Sequence, residues 1–227
     1  MSQCLMCHEK VSTIGWKAVL MVEEPLLCFQ CSRELVKING AICQGCGRPG
    51  EFEPLCKDCL RWSMDPCWKE NEMINRSIYQ YNEGIKTIFN QFKFRGDFEL
   101  GKVFSKEIRE FFIKEFTSVS MISFIPLSEE RLYERGFNQA EILAKHIPRK
   151  IEPTLLKKNE TKQSKKTRQE RLTGDNPFQL RLNVNITAQH ILLIDDIYTT
   201  GTTIRHAAKL LLENGASKVS SLTLIRS

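Results

Sequence analysis

The apolar residues of this chain fall into short runs of two different periods. Ile85, Ile88, Phe89 and Phe92 recur at helical spacing and predict an amphipathic helix. Just before them, Ser77-Ile78-Tyr79-Gln80-Tyr81 reads as a short strand. A longer helix is expected over residues 98–116, with Leu100, Phe104, Ile108, Phe111 and Phe112 turned inward. Residues 121–125 form an apolar run closed by Pro126, the pattern of a buried strand. Residues 137–147 predict a helix that buries Ile142, Leu143 and Ile147. Residues 191–194 are a fully apolar strand, 203–213 a helix ended by Asn214-Gly215, and 219–225 a last strand. Strands alternating with helices predict an α/β domain, a mainly parallel sheet with helices on both faces. The longest apolar stretches, such as 18–22 and 191–194, fall far short of the ~20 residues that cross a bilayer, so no membrane span is expected.

Cysteine usage divides the chain. All 9 cysteines of the 227 residues lie between Cys4 and Cys67. The first ten residues lack the apolar core of a secretory signal, so a cytosolic location is expected, where thiols stay reduced and serve metals before disulfides. The predicted organisation is a double zinc-ribbon-like Cys4 module over residues 1–68 and the α/β domain over 73–227. A polar insertion at 157–176 in the second part is expected to be a flexible hood. The formal net charge of +6 is local: residues 149–171 hold 9 Lys/Arg against 3 Asp/Glu, and the remainder is nearly balanced.

Eight of the cysteines form four CxxC pairs, Cys4/Cys7, Cys28/Cys31, Cys43/Cys46 and Cys56/Cys59. A two-residue gap lets two thiolates chelate one ion from a tight turn, and tetrahedral Zn²⁺ takes four such ligands. Two structural zinc sites with no open coordination position are therefore expected. Sequential pairing is the simplest scheme; a cross-braced one, first pair with third and second with fourth, also fits the spacing. Gly45 and Gly47 flank Cys46 as in a zinc knuckle. Redox-active or simply buried cysteines are the alternatives, and four complete pairs in one short segment weigh against both. His8 is expected at the surface, and Cys67 as a free thiol. So small a module has little core, and metal binding would supply its folding energy, on the order of 10 kcal/mol per site.

The stretch Ile191-Leu-Leu-Ile-Asp-Asp-Ile-Tyr-Thr-Thr-Gly-Thr-Thr203 carries the most chemistry. An apolar strand delivers Asp195 and Asp196, and a hydroxyl-rich turn with one glycine then opens a helix. Backbone N–H groups and the positive end of a helix dipole suit a phosphate monoester. Gly201 permits close backbone approach, and the hydroxyls of Thr199, Thr202 and Thr203 can donate to phosphate oxygens. Adjacent carboxylates repel a phosphate but accept hydrogen bonds from vicinal hydroxyls, and a 5-phosphorylated ribose presents both groups. The stretch has neither the Gly-Lys-Thr of a Walker loop nor the GxGxxG of a dinucleotide site. A capped helix after a buried strand is the plain alternative; it leaves two carboxylates at the end of that strand unexplained.

These 13 residues resemble the phosphoribosyl pyrophosphate (PRPP) signature of type I phosphoribosyltransferases. Pro126-Leu127, Arg131 and Arg135-Gly136-Phe137-Asn138-Gln139 resemble the signature of one branch, the ComF family of late-competence proteins, which also carries an N-terminal zinc ribbon. The resemblance covers essentially the whole chain. It implies a type I phosphoribosyltransferase-like fold, with Asp195 and Asp196 on the ribose hydroxyls and Thr199, Thr200, Gly201, Thr202 and Thr203 on the 5-phosphate. The loop after the 121–125 strand would face pyrophosphate, with Mg²⁺ bridging. The implied reaction displaces pyrophosphate at C1 of the ribose by a nitrogen nucleophile, through an oxocarbenium-like transition state. Arg131 and Arg135 would serve this chemistry, because a planar guanidinium binds pyrophosphate bidentately. Without the resemblance, both could equally be a solvated helix edge paired with Glu129, Glu130 and Glu134. No general base and no pocket for a particular nucleobase stand out.

The basic segment allows two uses: a hood closing over PRPP, or a track for single-stranded DNA through Lys157, Lys158, Lys162, Lys165 and Lys166. The second agrees with what the resemblance implies, a cytosolic role in DNA uptake during natural transformation beside a helicase-like partner and recombination loaders. Binding through phosphate contacts alone would be weak and salt-dependent, and the segment offers no aromatic stacking platform. Two functions follow: a DNA-uptake factor with a PRPP-binding domain, or an active PRPP-dependent transferase of nucleotide metabolism. A zinc ribbon favours the first.

Overall fold

A computed structural model of the chain describes residues 3–11, 25–94, 98–158 and 176–227. In chain order the described elements are α1 (Phe29–Arg33), α2 (Lys57–Trp62), α3 (Pro66–Glu70), β1 (Ile74–Gln80), α4 (Glu83–Phe94), a 3-10 helix (Phe98–Phe104) and α5 (Ser105–Glu115). There follow β2 (Met121–Phe124), α6 (Glu129–Arg135), α7 (Gln139–Ala144), β3 (Leu155–Lys157), β4 (Phe178–Leu180), β5 (His190–Tyr198), α8 (Thr202–Glu213) and β6 (Lys218–Arg226). Strands β1, β6, β5 and β2 form one sheet in that order, every neighbour parallel. The fold is thus the expected α/β architecture, with a Cys-rich segment at its amino end.

Burial on both faces explains why the central strands are so apolar. Leu192 and Ile194 of β5 join Leu222 and Leu224 of β6 in one core, covered by Ile85, Ile88, Phe89 and Phe92 of α4, by Ile108 and Phe112 of α5, and by Leu143 of α7. Ile191 and Leu193 face the other core with Val219, with Ile204, Ala207, Ala208 and Leu211 of α8, and with Cys43, Cys46, Cys56 and Cys59. The second group of cysteines is therefore part of the hydrophobic layer over one face of the sheet. Asn75 at the start of β1 fastens it there: its backbone N–H donates to the Gly45 carbonyl at 2.8 Å and its Nδ2 to the Cys46 carbonyl at 3.1 Å.

Several boundaries differ from the sequence expectation, each for a local reason. β5 continues through Tyr198 instead of ending at Ile194, because β6 offers a partner the whole way, with Asp195 opposite Thr223 and Ile197 opposite Ile225. Leaving those backbone groups unpaired inside a sheet would be costly. Asp195 and Asp196 consequently sit within the strand's last turn of pleat rather than beyond it. The helix expected over 98–116 is two elements, a 3-10 helix followed by α5. The helix expected over 137–147 is shorter, since Asn138 caps α7 by accepting from the Ala140 N–H. β1 starts three residues earlier than expected, at Ile74, and α6 and the antiparallel pair β3–β4 had no periodic signal. That pair closes the base of the 157–176 insertion; residues 159–175 of the expected hood lie outside the described residues.

Candidate functional site

The cysteines gather as two groups in sequential pairing. Cys4, Cys7, Cys28 and Cys31 form one and Cys43, Cys46, Cys56 and Cys59 the other, with the sulfurs of each group within 4.8 Å of one another. Cys7 and Cys28 sulfurs are 3.7 Å apart and those of Cys46 and Cys56 3.6 Å. A tetrahedron of sulfurs at the Zn–S bond length of about 2.3 Å has edges of about 3.8 Å, so the spacing fits a zinc ion, whereas a disulfide needs about 2.05 Å. Both groups could thus hold a metal, and in each a backbone N–H points at sulfur: Cys31 N–H to Cys28 at 3.5 Å within one CxxC turn, and Cys56 N–H to Cys43 at 3.2 Å between two pairs.

The two groups differ in setting. The first is partly open, with Cys7 exposed; the second is fully buried. Hydrogen bonding from the Cys59 thiol and the Arg226 guanidinium pulls the Cys46 thiol down to about 4, outweighing the desolvation that raises it. A buried guanidinium beside that sulfur suits a thiolate centre. His8 is exposed with φ of 61° and belongs to neither group. Cys67 also stands apart, and burial pushes its thiol up.

β5 and α8 position the other candidate residues. Asp195 and Asp196 fold back on the chain: Asp195 Oδ1 accepts from the Asp196 N–H at 2.9 Å and Asp196 Oδ1 from the Ile197 N–H at 2.5 Å. Asp196 Oδ2 is held by Lys93 Nζ at 2.8 Å, with both side chains about four-fifths buried at 18% and 20% exposure. Desolvation, and then the Asp196 charge, hold the Asp195 carboxyl well above the ordinary carboxylate range, although Lys93 and Lys157 pull it the other way. Thr199, Thr200, Thr202 and Thr203 are exposed around a buried Gly201. Gly201 is the N-cap of α8, with φ of 82° and no side-chain cap bond, and no acidic residue follows in the first turn. The first-turn N–H groups of α8 have no helical carbonyl to bond, so an anion there would meet backbone donors and the dipole's positive end. Thr200 Oγ1 and Thr202 Oγ1 lie 2.9 Å apart across the mouth of the turn.

Arg131 and Arg135 are on α6, which follows β2. Because β2 and β5 are adjacent and parallel, α6 and the β5–α8 turn leave the same carboxyl edge of the sheet, where open α/β sheets take ligands. Arg131 is exposed; Arg135 Nη1 donates to Gln139 Oε1 at 2.9 Å. Of the lysines, Lys157 ends β3 and its charge is felt by Asp195. Lys158 donates its backbone N–H to the Pro177 carbonyl at 2.9 Å. Lys162, Lys165 and Lys166 lie outside the described residues.

Sequence reasoning missed Lys93. On α4 it packs over the Phe89 ring at 4.6 Å and reaches Asp196 across the fold, while its own neighbourhood in sequence reads as the solvated side of an amphipathic helix. It named Trp62 only as an aromatic that could stack on DNA and missed its contact with the turn, where Nε1 donates to the Thr200 carbonyl at 2.9 Å. A tryptophan three residues after a metal-type cysteine was the available signal. Among the described residues, no helix is long and apolar enough to cross a membrane.

Residues 133–227 match the model of the phosphoribosyl transferase domain. The chain is 40% identical over 99% of its length to Competence protein ComFC of Bacillus subtilis, covering 95% of that protein. It is 36% identical over 99% of its length to Competence protein ComFC of Streptococcus pneumoniae, covering 100% of it. To DNA utilization protein YhgH of Escherichia coli (strain K12) it is 27% identical, with 88% of this chain and 90% of the relative covered.

Proposed function

The chain belongs to the family of ComFC competence proteins, and from that premise we propose that it serves DNA uptake through a domain that binds PRPP with Mg²⁺ at the β5–α8 turn. The observation that carries this reading is the junction of Asp195 and Asp196 with an uncapped helix start at Gly201. The strand end supplies acceptors for the 2- and 3-hydroxyls of ribose. The turn supplies donors for the 5-phosphate, from Thr199, Thr200, Thr202 and Thr203 hydroxyls and from backbone N–H groups. Arg131 and Arg135 reach the pyrophosphate from the neighbouring helix α6, and Lys93 balances the acid pair before a ligand arrives. Bound Mg²⁺ would neutralise pyrophosphate charge and ease its departure. The lysines at 157, 158, 162, 165 and 166 contact incoming single-stranded DNA in the cytosol, beside a helicase-like partner.

Titration calorimetry of PRPP into the zinc-loaded protein with Mg²⁺ tests the reading. Binding is expected in the wild type and its loss in the Asp195→Asn, Asp196→Asn double variant. Equal affinity in the two proteins would remove the site assignment.

A further inference from the structure

The buried Cys4 centre grips the candidate ligand turn at three points. Helix α2 starts on Cys56, carries Cys59 and ends at Trp62, whose Nε1 donates to the Thr200 carbonyl at 2.9 Å. Arg226 donates from Nη2 to Cys46 Sγ at 3.4 Å and from Nη1 to the Tyr198 carbonyl at 3.1 Å. Arg205, in the first turn of α8, lies over the rings of Trp62 at 5.1 Å and Trp68 at 4.8 Å. The gripped residues, 198, 200 and 205, lie before, within and after the turn. Among the described residues the first Cys4 centre makes no hydrogen bond to this turn.

Charge argues for the same link. Arg205 and Arg226 are 5% and 2% exposed, and buried cations persist where a counter-charge is near. Four thiolates around one Zn²⁺ would carry a formal charge of about −2, which Arg226 at Cys46 would offset in part. Helix α2 has 6 residues, too few to stand by itself in water. Its place, and so that of Trp62, depends on the sulfurs being tied together.

We propose that metal at Cys43, Cys46, Cys56 and Cys59 and a sugar phosphate at the β5–α8 turn bind with positive coupling, transmitted by Trp62 as a positioning residue. This rests on the site reading given above. The metal fixes α2, α2 fixes the Thr200 carbonyl, and the turn's N–H groups are then pre-oriented for the phosphate. Coupling between two binding equilibria is reciprocal, so the sugar phosphate must also tighten the metal.

A zinc competition titration of the full chain against a chromogenic chelator, with and without saturating ribose 5-phosphate, tests this. One of the two ions should be held about fivefold more tightly with the sugar phosphate, the scale of one hydrogen bond. The Cys7→Ser variant, left with the buried centre, should show the same gain. Trp62→Phe keeps a ring beside Arg205 but removes the N–H to Thr200; it should bind ribose 5-phosphate about fivefold more weakly. Unchanged zinc affinities in a wild type that does bind ribose 5-phosphate would overturn the coupling, as would a gain confined to the Cys4–Cys31 ion. Unchanged ribose 5-phosphate affinity in Trp62→Phe would overturn the role of Trp62. A wild type that binds no ribose 5-phosphate would overturn the site reading itself, and the coupling with it.

Discussion

Replacing Gly201 by alanine should damage this protein more than the same change at Gly136, and the difference measures how tightly the turn is packed. Both glycines have left-handed backbone, φ of 82° and 76°. At Gly136 a Cβ would meet nothing within 4 Å, so alanine there pays only the backbone term, about 1–2 kcal/mol. At Gly201 the Cβ would lie 2.6 Å from Cζ of Tyr198 and nearer still to its hydroxyl. Tyr198 cannot swing aside: it is 2% exposed, with the Arg226 guanidinium 5.0 Å from its ring centre. Overpacking of this kind adds about 1–3 kcal/mol, for a total of about 2–5 kcal/mol. Urea unfolding of the zinc-loaded full chain reads both values as midpoint shifts at constant slope. In a Tyr198→Phe background the nearest overlap disappears, so Gly201→Ala should cost less than it does alone. Equal losses at the two glycines, or strict additivity with Tyr198→Phe, would refute the packing argument.

Three further outcomes are expected. A carboxyl raised in the native state, as Asp195 is by burial and by Asp196, contributes stability that is full below the unfolded value of about 3.9 and lost as pH rises through the native pKa. Asp195→Asn should therefore stabilise the ligand-free protein at neutral pH, with the gain shrinking toward pH ~4; unfolding midpoints across that range check it, and a loss at neutral pH contradicts it. Metal analysis should give close to two zinc ions per chain, one fewer in both Cys7→Ser and Cys59→Ser. Cys59→Ser should lower the melting temperature far more than Cys7→Ser, because Cys59 is a buried member of the sheet's core while Cys7 is exposed, with only the partly buried Leu5 and Met6 of its loop packed on the sheet; similar melting of the two variants would contradict that. Single-stranded DNA binding should weaken with salt and lose part of its salt slope when Lys157, Lys158, Lys162, Lys165 and Lys166 are neutralised together; an unchanged slope excludes them as the track.

Much of this was legible because local chemistry and tertiary demand coincide. Four CxxC pairs announce metal at any fold, and the apolar runs at 121–125, 191–194 and 219–225 became strands because a doubly covered sheet needs them. The position of the acid pair was legible, but its setting was not: only the partner strand β6 shows that β5 runs on through Tyr198. The pairing of the cysteines, left open by spacing, is sequential because that is how the sulfurs gather in space. Lys93 and Trp62 were hidden for a common reason. Each acts on a residue more than a hundred positions away, Asp196 or Thr200, and no local period records such a meeting.

A crystal structure of the zinc-loaded protein with ribose 5-phosphate tests the central claim most directly. The phosphate should sit within about 3 Å of the backbone N–H groups of Gly201, Thr202 and Thr203, with the ribose hydroxyls on Asp195 and Asp196. A sugar phosphate bound elsewhere, with Lys93 still closed on Asp196 and the β5–α8 turn bare, would contradict it.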